Sequence, residues 1–229
     1  MAKLKDLAVL IEQMNGGDKA RSNSLVMVAR KAGLFTTGGR GPNAPEMTPI
    51  DFSRALLLGA ILYPPTRAAE AVKALEAARF STAIVEMADG NFPAVLRAGG
   101  PIDESEVEEI ELPTFLDELP VDLEGLLTLL FSAVFSGRWS FEATDYLLIT
   151  DTPGRSMVSI NLAGQRYGEV VGNRIDEDVR TKDHFNWHFS FDLEKPTTDH
   201  ELFGEVQRRI SSNALLAMQN LARQDNPDA

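Results

Sequence analysis

Apolar side chains recur at helical spacing over Leu4, Leu7, Ala8, Ile11 and Met14, so residues 3–14 predict a short amphipathic helix ended by Asn15-Gly16-Gly17. A second helix is predicted from Asp18 to Ala32, with Leu25, Val28, Ala29 and Ala32 on one face and Gly33 as its stop. From Thr36 to Pro45, three glycines and two prolines predict a loop. Thr48-Pro49 then restarts the helix, because the threonine hydroxyl can cap free amides and the fixed proline φ fits a first turn. This helix, to about Leu62, is apolar nearly all round (Phe52, Ala55, Leu56, Leu58, Gly59, Leu62) and belongs in a core. Pro64-Pro65 breaks it, Thr66 caps another, and Ala69, Val72 and Leu75 line the next buried face.

Residues 80–97 fit either a strand or a continued helix, with Asp89-Gly90-Asn91 as a turn, and Gly99-Gly100-Pro101 reads as a domain boundary. Val121–Phe135 predicts a core helix. From Arg138 the hydrophobic period shortens. Tyr146–Thr150 and Met157–Leu162 read as strands joined across Asp151-Thr152-Pro153-Gly154, and Ala163-Gly164-Gln165 as a turn into a further strand over Tyr167–Val171. Phe185, Trp187, Phe189, Phe191 and Leu193 alternate with His184, Asn186, His188, Ser190 and Asp192, the signature of a half-buried strand. A closing helix from Thr198 to Arg223 is predicted from the stripe Phe203, Val206, Ile210, Ala214, Ala217 and Leu221. The fold class is α+β, an antiparallel β-meander packed by helices.

Composition narrows the function classes. Hydrophobic residues at 44% and charged residues at 24% of 229 residues are ordinary globular values. The most apolar run, Leu123–Phe135, is interrupted by Glu124, Gly125, Thr128 and Ser132 and is shorter than the roughly 20 residues a bilayer requires. No membrane partner is expected. Met1-Ala2-Lys3-Leu4-Lys5-Asp6 opens an amphipathic pattern without the apolar core of an export signal, so the expected location is cytoplasmic. Cysteine is absent, which removes disulfides, thiol nucleophiles and thiolate metal sites.

Charge is divided unequally. Residues 1–75 carry 10 Lys/Arg against 6 Asp/Glu, a balance of +4; over 76–229 the remaining 12 bases face 28 acids, a balance of −16. Residues 103–124 alone hold 10 acids and no base, interleaved with Val107, Ile110, Leu112, Phe115, Leu116 and Leu119. A basic end on an acidic body points to a nucleic-acid-facing segment.

Enzyme chemistry finds no constellation here. His184 and His188 have the i, i+4 spacing of a helical metal pair, but on a strand four positions span about 13 Å, too far for one ion. His200 falls near the last helix as a cap or solvated residue. Gly38-Gly39-Arg40-Gly41 lacks the Gly-Lys-Ser/Thr end of a phosphate-binding loop, and Pro42 removes a backbone donor. Acid pairs such as Glu108/Glu109 and Asp117/Glu118 have no neighbour to split their pKa values. No catalytic residue, metal site or cofactor is expected.

The second helix carries Lys19, Arg21, Ser22, Asn23, Ser24, Arg30 and Lys31, all able to meet phosphates or base edges, and the glycine loop beyond it carries Arg40. Val28-Ala29-Arg30-Lys31-Ala32-Gly33-Leu34 and Thr48-Pro49-Ile50-Asp51 are the positions through which this order resembles the MerR-type winged helix. In that family a recognition helix runs into a Gly-Leu turn, a basic wing follows, and a helix opens with Thr/Ser-x-x-Asp. The chain departs from the family in lacking paired aromatics before the turn, a Tyr-Arg-aromatic end to the wing and a coiled coil directly after. The resemblance implies double-stranded DNA as partner. Arg21, Asn23 and Ser24 would enter the groove, while Lys19, Arg30, Lys31 and Arg40 would meet phosphates. The segment also has the general look of regulatory or packaging proteins of phages and prophages. The domain division expected is a helical, winged-helix-like region over residues 1–98, an acidic linker or docking segment over 99–120, and an α+β domain over 121–229 for dimerisation or partner binding. A homodimeric DNA-binding regulator is the favoured reading. An acidic, DNA-mimic-like inhibitor docking a basic protein through residues 103–124, and a DNA-packaging subunit, remain the alternatives.

Overall fold

Carboxylates and glycines punctuate the helices in the computed structural model, which describes residues 2–38, 43–87, 94–97, 100–101, 113, 115–152, 155–165, 184–193 and 206–223. Among the described residues the helices are α1 (Leu4–Met14), α2 (Lys19–Lys31), α3 (Pro49–Ala60), α4 (Ala68–Glu76), α5 (Leu123–Phe135) and α6 (Ser212–Arg223), with a 3-10 turn at Pro65–Arg67. Asp18 Oδ1 accepts from the Arg21 amide at 2.9 Å to start α2, and Asp122 Oδ1 accepts from the Gly125 amide at 2.9 Å to start α5. Gly33, at φ 74°, closes α2 in a backbone conformation that favours glycine. As its pattern predicts, α3 is buried nearly all round. Phe52 lies edge-on to Phe135 at 5.0 Å and tilted on Phe131 at 5.8 Å, which fastens α3 to α5.

The strands are β1 (Arg79–Met87), β2 (Ala94–Arg97), β3 (Gly100–Pro101), β4 (Tyr146–Thr152), β5 (Arg155–Gln165), β6 (His184–Leu193) and β7 (Val206–Ile210). They form one sheet in the order β3-β2-β1-β6-β5-β4-β7, and every pairing is antiparallel. Ala83, Leu147, Ile149, Val158, Ile160, Leu162, Trp187, Phe189, Phe191 and Ile210 are buried and share one core with the helices. Their strand neighbours Ile84, Leu148, Met157, Ser159, His188 and Ser190 are half-exposed, the alternation of a sheet with one packed face.

Several sequence expectations change. The division after residue 98 does not separate two cores: β1, from the first part of the chain, pairs with β6 over Arg79–Met87, and a single core cluster runs through both parts. Residues 1–98 are accordingly not all helical, and Gly100–Pro101 is a strand paired with β2 where a boundary was expected. The segment before α5 is tied to the same sheet, since the Phe80 amide donates to Val121 O at 3.0 Å and the Leu123 amide to Ala78 O at 3.0 Å. Phe115 and Leu116 are buried, with Phe115 edge-on to Trp139 at 4.9 Å, while Asp117 and Glu118 face solvent. The end of the acidic segment is therefore packed down, not free; residues 102–112 lie outside the described residues. The turn expected at Ala163-Gly164-Gln165 is instead the end of β5, paired with β6 through Gln165↔His184. The long closing helix is a strand followed by a shorter helix: Val206 and Ile210 pair with Asp151 and Leu147 of β4. A four-residue spacing is even, so it satisfies a strand as well as a helix, and a vacant sheet edge decided the matter. The expected strand over Tyr167–Val171 and His200 lie outside the described residues. Among the described residues no helix is long and apolar enough to cross a membrane.

Candidate nucleic-acid interface

Helix α2 has two distinct sides. Ser22, Leu25 and Ala29 are buried, and the helix packs against α1, α4 and the 3-10 turn. Lys19, Asn23, Met27, Arg30 and Lys31 are exposed. Among the described residues, none of Lys19, Arg30 and Lys31 is held in an ion pair. Arg30 and Lys31 occupy the last turn, where their charges also complement the helix dipole. Because Asp18 already occupies the Arg21 amide, the opposite end of α2 is no open cradle for a phosphate.

Two of the expected contact residues are engaged within the fold. Arg21 is half-buried and its guanidinium is used internally: Nε donates to Asn15 Oδ1 at 3.2 Å, and Nη2 to Ile61 O at 3.1 Å and Tyr63 O at 2.9 Å. It closes the carbonyl end of α3 and ties α2 to it, so its placement in a DNA groove is corrected. Ser24, also half-buried, donates its hydroxyl to Ala20 O at 2.9 Å, a bond within its own helix. Beside Arg21, Arg208 of β7 donates to Met14 O and to Gly59 O at 3.4 Å. Burial first, and the Arg21 charge second, lower the Arg208 pKa from its ordinary value. Two guanidiniums thus serve the carboxyl ends of α1 and α3, where helix dipoles favour positive charge.

The connection from α2 to α3 is anchored by one buried carboxylate. Asp51 accepts from the Thr36 amide at 2.7 Å and hydroxyl at 2.8 Å, and from the Thr48 amide and hydroxyl, each at 2.8 Å. It fixes both ends of the glycine loop at one point of the core. Leu34 and Phe35, buried at the start of that segment, hold it from the other side. Residues 32–38 and 43–48 contain no strand, so among the described residues the connection lacks the β-wing of a winged helix; Arg40 lies outside the described residues.

The remaining polar clusters are structural in geometry. Arg54 Nε meets Glu76 Oε1 at 2.7 Å, its Nη1 donates to Leu34 O at 3.0 Å, and its Nη2 lies 3.7 Å from Glu124 Oε1. Burial raises the Glu76 pKa despite the opposing pull of Arg54. Asp145, buried at the start of β4, accepts from the Glu142 amide at 2.8 Å and the Ala163 amide at 2.6 Å. Burial pushes its pKa up to about 6 against those two donors. A cleft of about 230 Å³ between α1, the end of β7 and the start of α6 is lined by Gln13, Met14, Arg209, Ser211 and Asn213, among others. Among the described residues no group of three or more His, Cys, Asp or Glu could share a metal ion. His184 and His188 both lie on β6, four strand positions apart.

Of the expected DNA-facing residues, the structure thus gathers Lys19, Asn23, Arg30 and Lys31 on one exposed face and assigns Arg21 and Ser24 to the fold. Sequence reasoning missed Met27, which shares that face with 52% of its surface exposed. Its only signal was its position four residues after Asn23. No protein family, curated protein or solved structure matches the chain.

Proposed function

We propose that this chain binds double-stranded DNA through the exposed face of α2, acting as a dimeric regulatory protein of phage or prophage type. The observation that carries the reading is the exposed face of Lys19, Asn23, Met27, Arg30 and Lys31 on a helix that holds no acid within its span and buries Ser22, Leu25 and Ala29 on the opposite side. An α-helix of this length fits the major groove, and cations at its two ends suit the phosphates of the groove walls. Asp51 holds Thr36 and Thr48, on either side of the segment whose sequence contains Arg40, at one point. Lys19, Arg30, Lys31 and Arg40 offer at most about four phosphate contacts per protomer, so useful affinity requires two protomers on two half-sites.

The test is fluorescence anisotropy with random duplexes at low and physiological salt, alongside light-scattering mass. A dimer making about eight phosphate contacts should lose affinity with a log–log salt slope near −7. Combining Lys19→Ala, Arg30→Ala and Lys31→Ala should flatten that slope and weaken binding to every sequence. No binding at low salt refutes the reading, and a ring-sized mass points instead to a packaging subunit. A second reading is favoured by the acidic segment, whose described end turns Asp117 and Glu118 outward over buried Phe115 and Leu116. There the segment docks a basic protein, and neutralising acids within residues 103–124 abolishes that binding while sparing any DNA binding.

A further inference from the structure

The order of side chains around the exposed arc of α2 separates holding from reading. At 3.6 residues per turn, successive side chains are about 100° apart. With Lys19 at the origin, Arg30 falls at about 20°, Asn23 at about 40°, Met27 at about 80°, Ala20 at about 100° and Lys31 at about 120°. The buried Ser22, Leu25 and Ala29 fall on the opposite side, at about 240–300°. Asn23 and Met27 therefore straddle the middle of the exposed arc, and the cations flank it. The same order holds along the axis. Lys19 opens the helix, Asn23 and Met27 follow at steps of about 6 Å, and Arg30 and Lys31 close it, about 18 Å from end to end.

From this arrangement we infer that α2 reads A·T base pairs, with Asn23 on an adenine edge and Met27 on a neighbouring thymine methyl. The inference rests on the DNA-binding reading above and adds the base class recognised. A helix laid into the major groove places the middle of its arc on the groove floor and its flanks against the walls. Asparagine presents a donor and an acceptor in the spacing of adenine N6 and N7, and the thymine methyl is the one apolar group on that floor. One exposed methionine is ordinary on a protein surface. What distinguishes Met27 is its place, one turn from the asparagine and enclosed by cations that hold phosphates. Ala20, the other residue of the central arc, is small enough to let the backbone approach.

The experiment is selection of bound duplexes from a randomised pool by the full-length wild-type, Asn23→Ala, Met27→Ala and Lys19→Ala proteins, each checked for an unchanged melting temperature. The wild type should enrich sites with A·T pairs at fixed positions. Asn23→Ala should lower discrimination at one of those positions about tenfold, and Met27→Ala should relax preference for thymine at its neighbour. Lys19→Ala should weaken all sequences alike and leave the enriched motif intact. An unchanged motif in both Asn23→Ala and Met27→Ala overturns the inference and leaves DNA binding standing. Salt-sensitive binding without any enriched motif does the same. Absence of binding at low salt refutes the DNA reading itself, and the inference with it.

Discussion

Replacing Arg21 by alanine separates a fold-holding arginine from a DNA-contacting one. The guanidinium makes three contacts, at 3.2 Å to Asn15 Oδ1, 3.1 Å to Ile61 O and 2.9 Å to Tyr63 O. Both carbonyl residues are buried, so truncation leaves acceptors with restricted access to water. A hydrogen bond to a charged group contributes about 1.5–3 kcal/mol, but three on one side chain are not additive. Removing Arg21 also relieves its repulsion of Arg208, which offsets part of the loss. The net cost should be about 2 kcal/mol, which lowers the melting temperature of a domain this size by about 4–8 °C. Calorimetry and urea denaturation measure it directly. Arg21→Lys sharpens the comparison, because lysine keeps the charge and loses the planar fork that reaches several acceptors at once. It should be nearly as unstable as the alanine variant. At a temperature where both variants are folded, duplex affinity and its salt slope should match the wild type. The reasoning fails if Arg21→Ala melts like the wild type yet loses duplex affinity, and if Arg21→Lys restores that affinity.

Two further perturbations follow from the buried acids. Arg54→Met strands Glu76 in the core, so it should cost about 3 kcal/mol at pH 7.5. That deficit should shrink as the pH falls and Glu76, its pKa raised by burial, takes up a proton; a deficit independent of pH in denaturation curves would refute the assignment. For Asp145 the folded pKa of about 6 lies above the ordinary 3.8, so its contribution to stability is full below about pH 4 and is lost as pH rises through 6. The difference of about 2 units corresponds to roughly 3 kcal/mol, and Asp145→Asn, which keeps the shape of the neutral acid, should remove that component of the pH dependence between pH 4 and 7 in urea midpoints.

The helices were legible because their stops and caps are local. Asp18, Gly33, Thr48-Pro49 and Pro64-Pro65 act on their own neighbours, and α1 to α3 lie within two residues of the ends that pattern predicts. The sheet was legible where hydrophobic alternation is strict, as in β6, and lost where spacing is ambiguous. Val206 and Ile210 fit either period, and only the free edge of β4 makes that segment a strand. Nothing in the sequence near Phe80 announces that β1 pairs with a strand more than 100 residues later, so the joining of the two parts into one sheet was not readable. The site followed the same rule. Listing the bases of α2 found Lys19, Arg30 and Lys31, but residue type does not distinguish an arginine facing water from one facing the carboxyl end of α3. Arg21 lies about 200° around the helix from Lys19, away from the exposed arc, and that angle carries the distinction.

The acidic balance of the chain bears on how such a helix would meet DNA. Residues 76–229 carry a net −16, and a duplex repels that charge at any orientation that brings it near. At physiological salt, charges are screened beyond about 8 Å, so a few cations spread over an 18 Å helix act on the phosphates only in close approach. On the DNA-binding proposal, attraction at α2 set against a net negative remainder would favour encounters in which the exposed arc leads. A uniformly basic protein of the same fold would bind more tightly and in many poses. Here the negative remainder of the chain would reduce binding in other poses, and the small positive face would keep the one in which α2 leads. On the same proposal, discrimination between sequences falls to the central arc of Asn23 and Met27, because the flanking cations would meet phosphates, which carry no sequence information.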